Sequence, residues 1–288
     1  LAGLLAAVDL VGSKMSEQQI VILGAGSAAT GIADQIVAAM VREGCSLPAA
    51  RYAIWLVDSH GLVHTGRTDL DAGKKIYAQP PARIAEWHLP RPDHMTLEDV
   101  VREVRPTILI GTAAQPRAFT EGVVREMARH VSRPIIFPLS NPTTKSEAAP
   151  ADLLAWTAGR ALVATGSPFP AVSEAGRLIR IGQCNNVFIF PGVGLGVLAA
   201  RARCVTDGMF MAAARALSAC SPARRDPAAA LYPPLEDVRE VSRQAALAVG
   251  VAAQQDGVAE DLPRDVLEQR VRAEMWQPRY VPLKRKLP

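Results

Sequence analysis

Short apolar runs alternate with helical patterns over the first two thirds of the chain. "QQIVILG" (18–24) predicts a strand, and "AATGIADQIVAAMVREG" (28–44) a helix closed by Gly44 as C-cap. The loop "CSLPAAR" leads to a second predicted strand, "YAIWLVD" (52–58). "TLEDVVREV" (96–104) is helical, with Thr96 as N-cap and Asp99 three positions later. "PTILIG" (106–111), "RPIIFPLS" (133–140) and "RALVATG" (160–166) predict three more strands, separated by the helices "TEGVVREMARH" (120–130) and "APADLLAWTAG" (149–159). Continuous apolar strands between amphipathic helices call for a parallel sheet covered on both faces, a doubly wound α/β fold.

After residue 192 the pattern becomes helical. "GVGLGVLAARARC", "DGMFMAAARALSAC", "LEDVREVSRQAALAVGVAAQQ" (235–255) and "RDVLEQRVRAEMW" (264–276) predict helices, and "SPARRDPAAALYPP" (221–234) reads as a Pro/Ala linker. The predicted organisation is a Rossmann-like domain over 1–186, opened by a leading helix in 1–17, and a helical C-terminal segment over 187–288.

A length of 288 residues suits one large domain or two modest ones, and 49% hydrophobic against 21% charged residues gives a sizeable core. No apolar stretch is long enough to span a bilayer. The net charge of +4 is mild, its densest cluster is "LKRK" at 283–286, and aromatics make up 5%. That is not the basic track with stacking aromatics of a nucleic-acid groove, and the cluster reads as a solvated tail. Cys45, Cys184, Cys204 and Cys220 form no CxxC pair and no metal-ligand spacing with histidine, so free thiols in a reducing compartment are expected.

The first candidate site is "VILGAGSAATG", a glycine turn between a strand and a helix. Gly24, Gly26 and Ala29 make a GxGxxA fingerprint, with Ala25, Ser27 and Ala28 between them. The first glycine permits the tight turn, the second admits a pyrophosphate, and the small third residue lets helix and strand pack. Asp58 ends the next strand, where an acid can bind a ribose, although it lies farther along than the usual ~20 residues. Such an acid favours NAD. Ser59 and the lysines Lys74 and Lys75 could instead seat the 2′-phosphate of NADP, or be ordinary solvated loop residues.

Three polar turns follow strand ends or precede apolar runs. "PLSNPTTKSE" (138–147) puts Asn141 beyond the fourth strand, where ligands sit in such sheets, though Asn-Pro is also a common turn. "ATGSPFP" (164–170) follows the fifth strand in the same way, and "GQCNNVFIFPG" (182–192) supplies Gln183, Asn185 and Asn186. A neutral amide can hold a carboxylate without locking it in a salt bridge.

"ILGAGSAATGIA", "PLSNPTTKSEA", "ATGSPF" and "GQCNNVFIFPGVGLGV", in this order, resemble the C-terminal part of malic enzymes, and "LAGLLAA" and "LYPPLEDVREVS" fit the same resemblance. It covers nearly the whole chain, and the last three motifs are more specific than the glycine fingerprint. It implies oxidative decarboxylation of (S)-malate to pyruvate and CO₂, hydride transfer to NADP or NAD, and Mg²⁺ or Mn²⁺ as Lewis acid in the complete enzyme. It also implies a cytoplasmic or organellar-matrix homo-oligomer. Carried over residue by residue, Asn141, Asn185 and Asn186 would bind substrate, with Asn141 and Asn186 also on the cofactor side. Gly24, Ala25, Gly26, Ser27, Ala28, Ala29, Asp58, Ser59 and Lys75 would hold the cofactor. "DSHGLVHTGRTDLDAGKK" resembles the NADP-preferring members, so NADP is expected to bind more tightly.

Two departures stand out. Cys184 occupies the position of a family glycine in GQGNN, a residue that could take positive φ, so a shift of the asparagines is in question. The family's base lysine, acid tyrosine, malate-gripping arginine and acidic metal ligands lie upstream of "LAGLLAA", so this chain is expected to be inactive alone, its helical segment packing on a missing N-terminal domain. Two alternatives remain: a non-catalytic dinucleotide-binding regulatory module, and a malolactic enzyme of the same family. An upstream open frame carrying the acidic catalytic motif excludes the first. Tightly held NAD without net reduced cofactor marks the second.

Overall fold

The protein was analysed as a computed structural model that describes residues 1–87, 89, 91, 94–174, 176–278 and 280. The basic cluster at 283–286 lies outside the described residues. The chain divides into two compact units, Leu1–Asn186 with Leu217–Asp237, and Val187–Ala216 with Val238–Pro288.

The first unit begins with helix α1 (Ala2–Leu10), buried along most of its length and closed at Val11 and Gly12. Strand β1 (Ile20–Leu23) is four apolar residues, all buried, as a central strand covered on both faces requires. Helix α2 (Ser27–Arg42) follows and buries Ala29, Ala33, Ile36, Val37 and Met40. The segment read as a loop before the second strand instead forms helix α3 (Leu47–Tyr52), because Ser46 caps it by accepting from the Ala49 N–H and Pro48 suits its first turn. The second strand therefore starts later than expected, as β2 (Ile54–Asp58).

A short antiparallel strand β3 (Gly61–Leu62) pairs with the end of β2, and helix α4 (Ala72–Tyr77) lies beyond it. Helix α5 (Leu97–Val104) has the expected capping box between Thr96 and Asp99. Then come β4 (Ile108–Gly111), α6 (Glu121–His130), β5 (Ile135–Pro138), α7 (Pro150–Trp156) and β6 (Leu162–Thr165). A hairpin of β7 (Val172–Glu174) and β8 (Arg177–Ile179) precedes β9 (Gly182–Gln183).

The main sheet has seven strands in the order β3-β2-β1-β4-β5-β6-β9, parallel except for β3. The expected doubly wound α/β class is what the chain forms. Ile20 of β1 is in register with Ile54 of β2 on one side and Ile108 of β4 on the other. The chain therefore winds away from β1 in both directions, which opens a crevice at the carboxyl ends of β1 and β4. One apolar layer on the sheet includes Val21, Trp55, Leu109, Phe119, Val124 and Ile136.

Residues 221–234, expected as a linker, are instead packed turns of the first unit. Leu231 and Tyr232 are buried, and the Tyr232 hydroxyl accepts from the Gly3 N–H at 3.1 Å. Arg224 pairs with Asp9 of α1. An apolar-aromatic pair between prolines has more to gain from burial than a free linker would give it.

The second unit is helical: α8 (Phe190–Ala200), α9 (Asp207–Ala219, whose last residues belong to the first unit), α10 (Val238–Gln255) and α11 (Arg264–Glu274). Gly196 of α8 lies so close to α10 that a β-carbon would sit 2.6 Å from the Ala246 carbonyl oxygen. "VFIF", apolar but short, joins a 3₁₀ turn (Asn186–Phe188) to the start of α8. Among the described residues, no helix is long and apolar enough to cross a membrane.

Candidate functional site

The crevice is built from strand ends. Gly24 leaves β1 with φ +109°, a conformation that excludes most side chains, and donates its N–H to the Val57 carbonyl at 2.7 Å. A β-carbon there would lie 2.5 Å from Thr112 Oγ1. That hydroxyl donates to the Leu23 carbonyl at 3.2 Å and ties the end of β4 to β1. Ala25 is buried, and Ala29 is fully buried where α2 meets the sheet. Gly26, Ser27 and Ala28 are exposed. Gly26 caps α2 with no side-chain acceptor, and a β-carbon on it would meet nothing within 4 Å. The first N–H groups of α2 thus face open space, an anion cradle at a helix N-terminus. A pyrophosphate fits this donor set.

At the end of β2, Asp58 is clamped by two cations. Arg67 makes a fork to it, Nη1 to Oδ1 at 2.9 Å and Nη2 to Oδ2 at 3.1 Å, and Lys74 Nζ reaches Oδ2 at 2.7 Å. The His60 backbone N–H donates to Oδ1 at 2.9 Å. Burial pushes the Asp58 carboxyl up, but the hydrogen bonds from Arg67 and Lys74 outweigh it and hold the pKa at about 2. Arg67 also pairs with Asp69, whose carboxyl it holds well below the ordinary range. Two cations and two carboxylates leave no net charge in the clamp. Of the two adjacent lysines it is Lys74 that reaches the acid; Lys75 is exposed on α4 and takes no part in the clamp. Ser59 is exposed and lies 3.5 Å from His60 Nδ1.

The carboxyl ends of β4, β5, β6 and β9 line a cleft of about 570 Å³ that includes Ala28, Thr112, Asn141, Gly166 and the run Gln183–Asn186. Asn141 is held by Ser167, whose hydroxyl donates to Oδ1 at 2.5 Å. With that oxygen engaged, the amide N–H groups are the ones available to a ligand. Gln183 belongs to β9 and donates Nε2 to the Gly166 carbonyl at 3.1 Å, so it closes the wall of the cleft. Asn185 is half-buried and Asn186 exposed. The fold thus brings Asn141, Asn185 and Asn186 to one cleft with Ala28 of the glycine turn.

Glu147 is a site residue that the sequence reading missed. It is fully buried and accepts from the Ala113 N–H at 3.0 Å, the Ser140 N–H at 3.3 Å and the Ser140 hydroxyl. The same hydroxyl accepts from the Ala114 N–H at 2.9 Å. One carboxylate therefore binds the segment after β4 to the segment after β5, immediately before Asn141. Nothing in "TTKSEA" marks this acid for burial; its donors come from backbone that only the folded sheet brings near.

Cys184 introduces no left-handed strain: the described non-glycine residues with positive φ are Arg105, Ala114, Arg117, Ala158 and Arg201. Burial pushes its thiol up to about 11, and its side chain bonds to Tyr232. The residue in the glycine position thus ties the asparagine turn to the buried "LYPP" segment.

Among the described residues, no group of three or more His, Cys, Asp or Glu is placed to hold a metal ion. The four cysteines are free thiols.

A family profile described as "Malic enzyme, NAD binding domain" matches residues 1–254. The chain is 48% identical over 282 residues to a protein of Shewanella frigidimarina named NAD-dependent malic enzyme, covering 98% of this chain and 50% of the relative. It is 49% identical to the protein of the same name from Aeromonas hydrophila, covering 97% and 49%. Among solved structures, a malic enzyme of Entamoeba histolytica superposes with a TM-score of 0.73 at 25% identity, over 95% of this chain and 51% of that one. The chain spans about half the length of the curated relatives it matches.

Proposed function

The chain belongs to the malic enzyme family, and on that premise we propose that it binds NAD in preference to NADP and supplies the cofactor site and part of the malate site of an enzyme that oxidatively decarboxylates (S)-malate to pyruvate and CO₂. The observation that carries the cofactor choice is the neutral clamp at Asp58. A 2′-phosphate would bring up to two negative charges against an ionised carboxylate whose neighbouring cations are already committed. The names of the curated relatives agree with NAD. The expectation of NADP rested on Ser59 and Lys75, which are both exposed and outside the clamp, and it predicts the opposite order of affinities.

When bound, the nicotinamide supplies a hydride acceptor. The chain's own residues do the holding. The N–H groups at the start of α2 would take the pyrophosphate, and Asp58 the ribose hydroxyls. Asn141, oriented by Ser167, would donate to a carboxylate from one wall of the cleft, and Asn185 and Asn186 from another. Neutral donors fix a dicarboxylate without adding a charge that must be desolvated. The described residues do not form a divalent-cation site, and no step assigned to this chain runs through a metal. We infer that the chain alone does not turn malate over.

Equilibrium titration with NAD⁺ and NADP⁺ tests the cofactor choice. NAD⁺ should bind more tightly by roughly tenfold, equivalent to about 1.4 kcal/mol. Equal affinities, or tighter NADP⁺, refute it. The activity is tested by following malate-dependent NADH and pyruvate with the full-length protein and Mn²⁺, and with this chain alone. Robust turnover by the chain alone would overturn the division of labour, and full-length protein with no pyruvate would overturn the reaction.

A further inference from the structure

A second cavity, of about 400 Å³, lies by the amino-terminal ends of β5 and β6, whereas the cleft lies at the strands' carboxyl ends. Arg133 lines it just before β5, Leu162 at the start of β6, Arg177 and Arg180 on and after β8, and the stretch Asp226–Leu231 forms another wall. Three arginines from two segments thus line it together with one acid, Asp226. The Asp226 side chain accepts from the Ala228 N–H at 3.0 Å and pairs with none of them. Among the described residues, none of the three arginines has an ion-pair or hydrogen-bond partner. Their concavity has an apolar lining in Leu154, Leu162 and Leu231, all buried.

A concavity with a net excess of positive charge, here three arginines against Asp226, over low-dielectric residues concentrates potential and draws counter-ions. Guanidinium forks match the oxygens of carboxylates and phosphates. We propose that this cavity is an effector site for a small polyanion carrying phosphate or carboxylate groups. Its walls lead directly to the cleft. Arg180 is followed within a few residues by Gln183, and Leu231 immediately precedes Tyr232, which bonds to Cys184 in the asparagine turn. A ligand that draws Arg180 and the Asp226–Leu231 stretch together acts on both segments that hold that turn.

The test is calorimetric titration of the full chain at constant ionic strength, with inorganic pyrophosphate in one arm and citrate in another. NAD⁺ is titrated in parallel, so loss of this site is distinguishable from failure of the cofactor reading. At least one probe should bind wild type with one equivalent beyond whatever the triple variant retains at the α2 cradle or the asparagine cleft, and which one does identifies the phosphate or the carboxylate source. Arg177→Gln and Arg180→Gln, both at exposed residues, should each weaken it roughly tenfold, as loss of a charged hydrogen bond does. The triple variant that adds Arg133→Gln should abolish it. NAD⁺ affinity without the probe should stay within about twofold of wild type, and saturating probe should shift wild-type NAD⁺ affinity by more than that while leaving the triple variant's unchanged, which separates this site from competition at the α2 cradle or the asparagine cleft. Absence of binding by both probes, or unchanged binding by the two single variants, overturns the site. An NAD⁺ affinity indifferent to bound probe overturns its role as an effector.

Discussion

Replacing Glu147 by glutamine keeps the size of the side chain and removes one acceptor from a fully buried knot. In the wild type, Oε1 takes the Ala113 N–H and the Ser140 hydroxyl, and Oε2 takes the Ser140 N–H at 3.3 Å. With its oxygen in the first position, the glutamine amide keeps two bonds and points an NH₂ group at the Ser140 N–H. Flipped, it keeps one bond and loses two. The better orientation leaves a buried donor facing a donor, at a cost of about 1–3 kcal/mol. For a unit of this size that lowers Tm by roughly 2–4 °C per kcal/mol. Because Ser140 immediately precedes Asn141, malate affinity of the full-length enzyme should also fall, while NAD⁺ binding at the distant Asp58 clamp stays near wild type. Denaturant unfolding of wild type, Glu147→Gln, Ser140→Ala and the double variant gives the coupling energy directly. Destabilisation by Glu147→Gln below about 0.5 kcal/mol, within the range of ordinary surface substitutions, would refute the idea that this carboxylate fastens the strand ends.

Three further outcomes are expected. Gly24→Ala should lose NAD⁺ binding and unfold more easily, because the residue has φ +109° and its β-carbon would strike Thr112; circular dichroism melts and NAD⁺ titration check this, and a wild-type melt would refute it. Asp58 has a depressed pKa, so its ion-pair contribution is complete above the unfolded carboxyl value near ~4 and is lost as pH falls towards about 2. An acid titration of stability should therefore show a fall over that window that Asp58→Asn lacks, and parallel curves would disprove it. Cys184, with its thiol raised to about 11 by burial, should resist alkylation at pH 8 while exposed Cys204 is labelled; peptide mass spectrometry showing equal labelling would contradict this.

The frame of the first unit was legible because its signals are periodic and local. β1, β4, β5 and β6 are four-residue, largely apolar and fully buried strands, and Thr96–Asp99 is a complete capping box. α3 was missed because its helical signal is a single serine cap and a proline at one end of a six-residue segment. The hairpin β7–β8 was missed for a related reason: three-residue strands carry no measurable alternation, and Leu178 remains exposed. The Pro/Ala stretch before α10 misled by composition. Composition does not reveal that Tyr232 has both a backbone donor and a thiol to bond.

The candidate site divides along the same line. Residues whose role depends on local backbone, such as Gly24 and Ala29, could be named from spacing. Residues whose role depends on what another strand end brings could not. Sequence placed Lys75 near a 2′-phosphate and did not foresee that its neighbour on α4, Lys74, reaches Asp58. Once Arg67 and Lys74 are both committed to that acid, the meaning of Lys74 reverses. A lysine that read as a seat for a phosphate becomes the counter-charge that keeps the Asp58 carboxylate ionised at any pH well above about 2. An ionised acceptor with its geometry fixed by a guanidinium fork needs little reorganisation to take ribose hydroxyls, whereas a 2′-phosphate would first have to pull a cation away from it. The proposed preference for NAD thus rests on which charges in the fold already have partners. An Arg67→Ala, Lys74→Ala double variant should shift the NADP⁺ to NAD⁺ affinity ratio far less than Asp58→Ser, which removes the repelling carboxylate and frees Lys74 while Arg67 stays paired with Asp69.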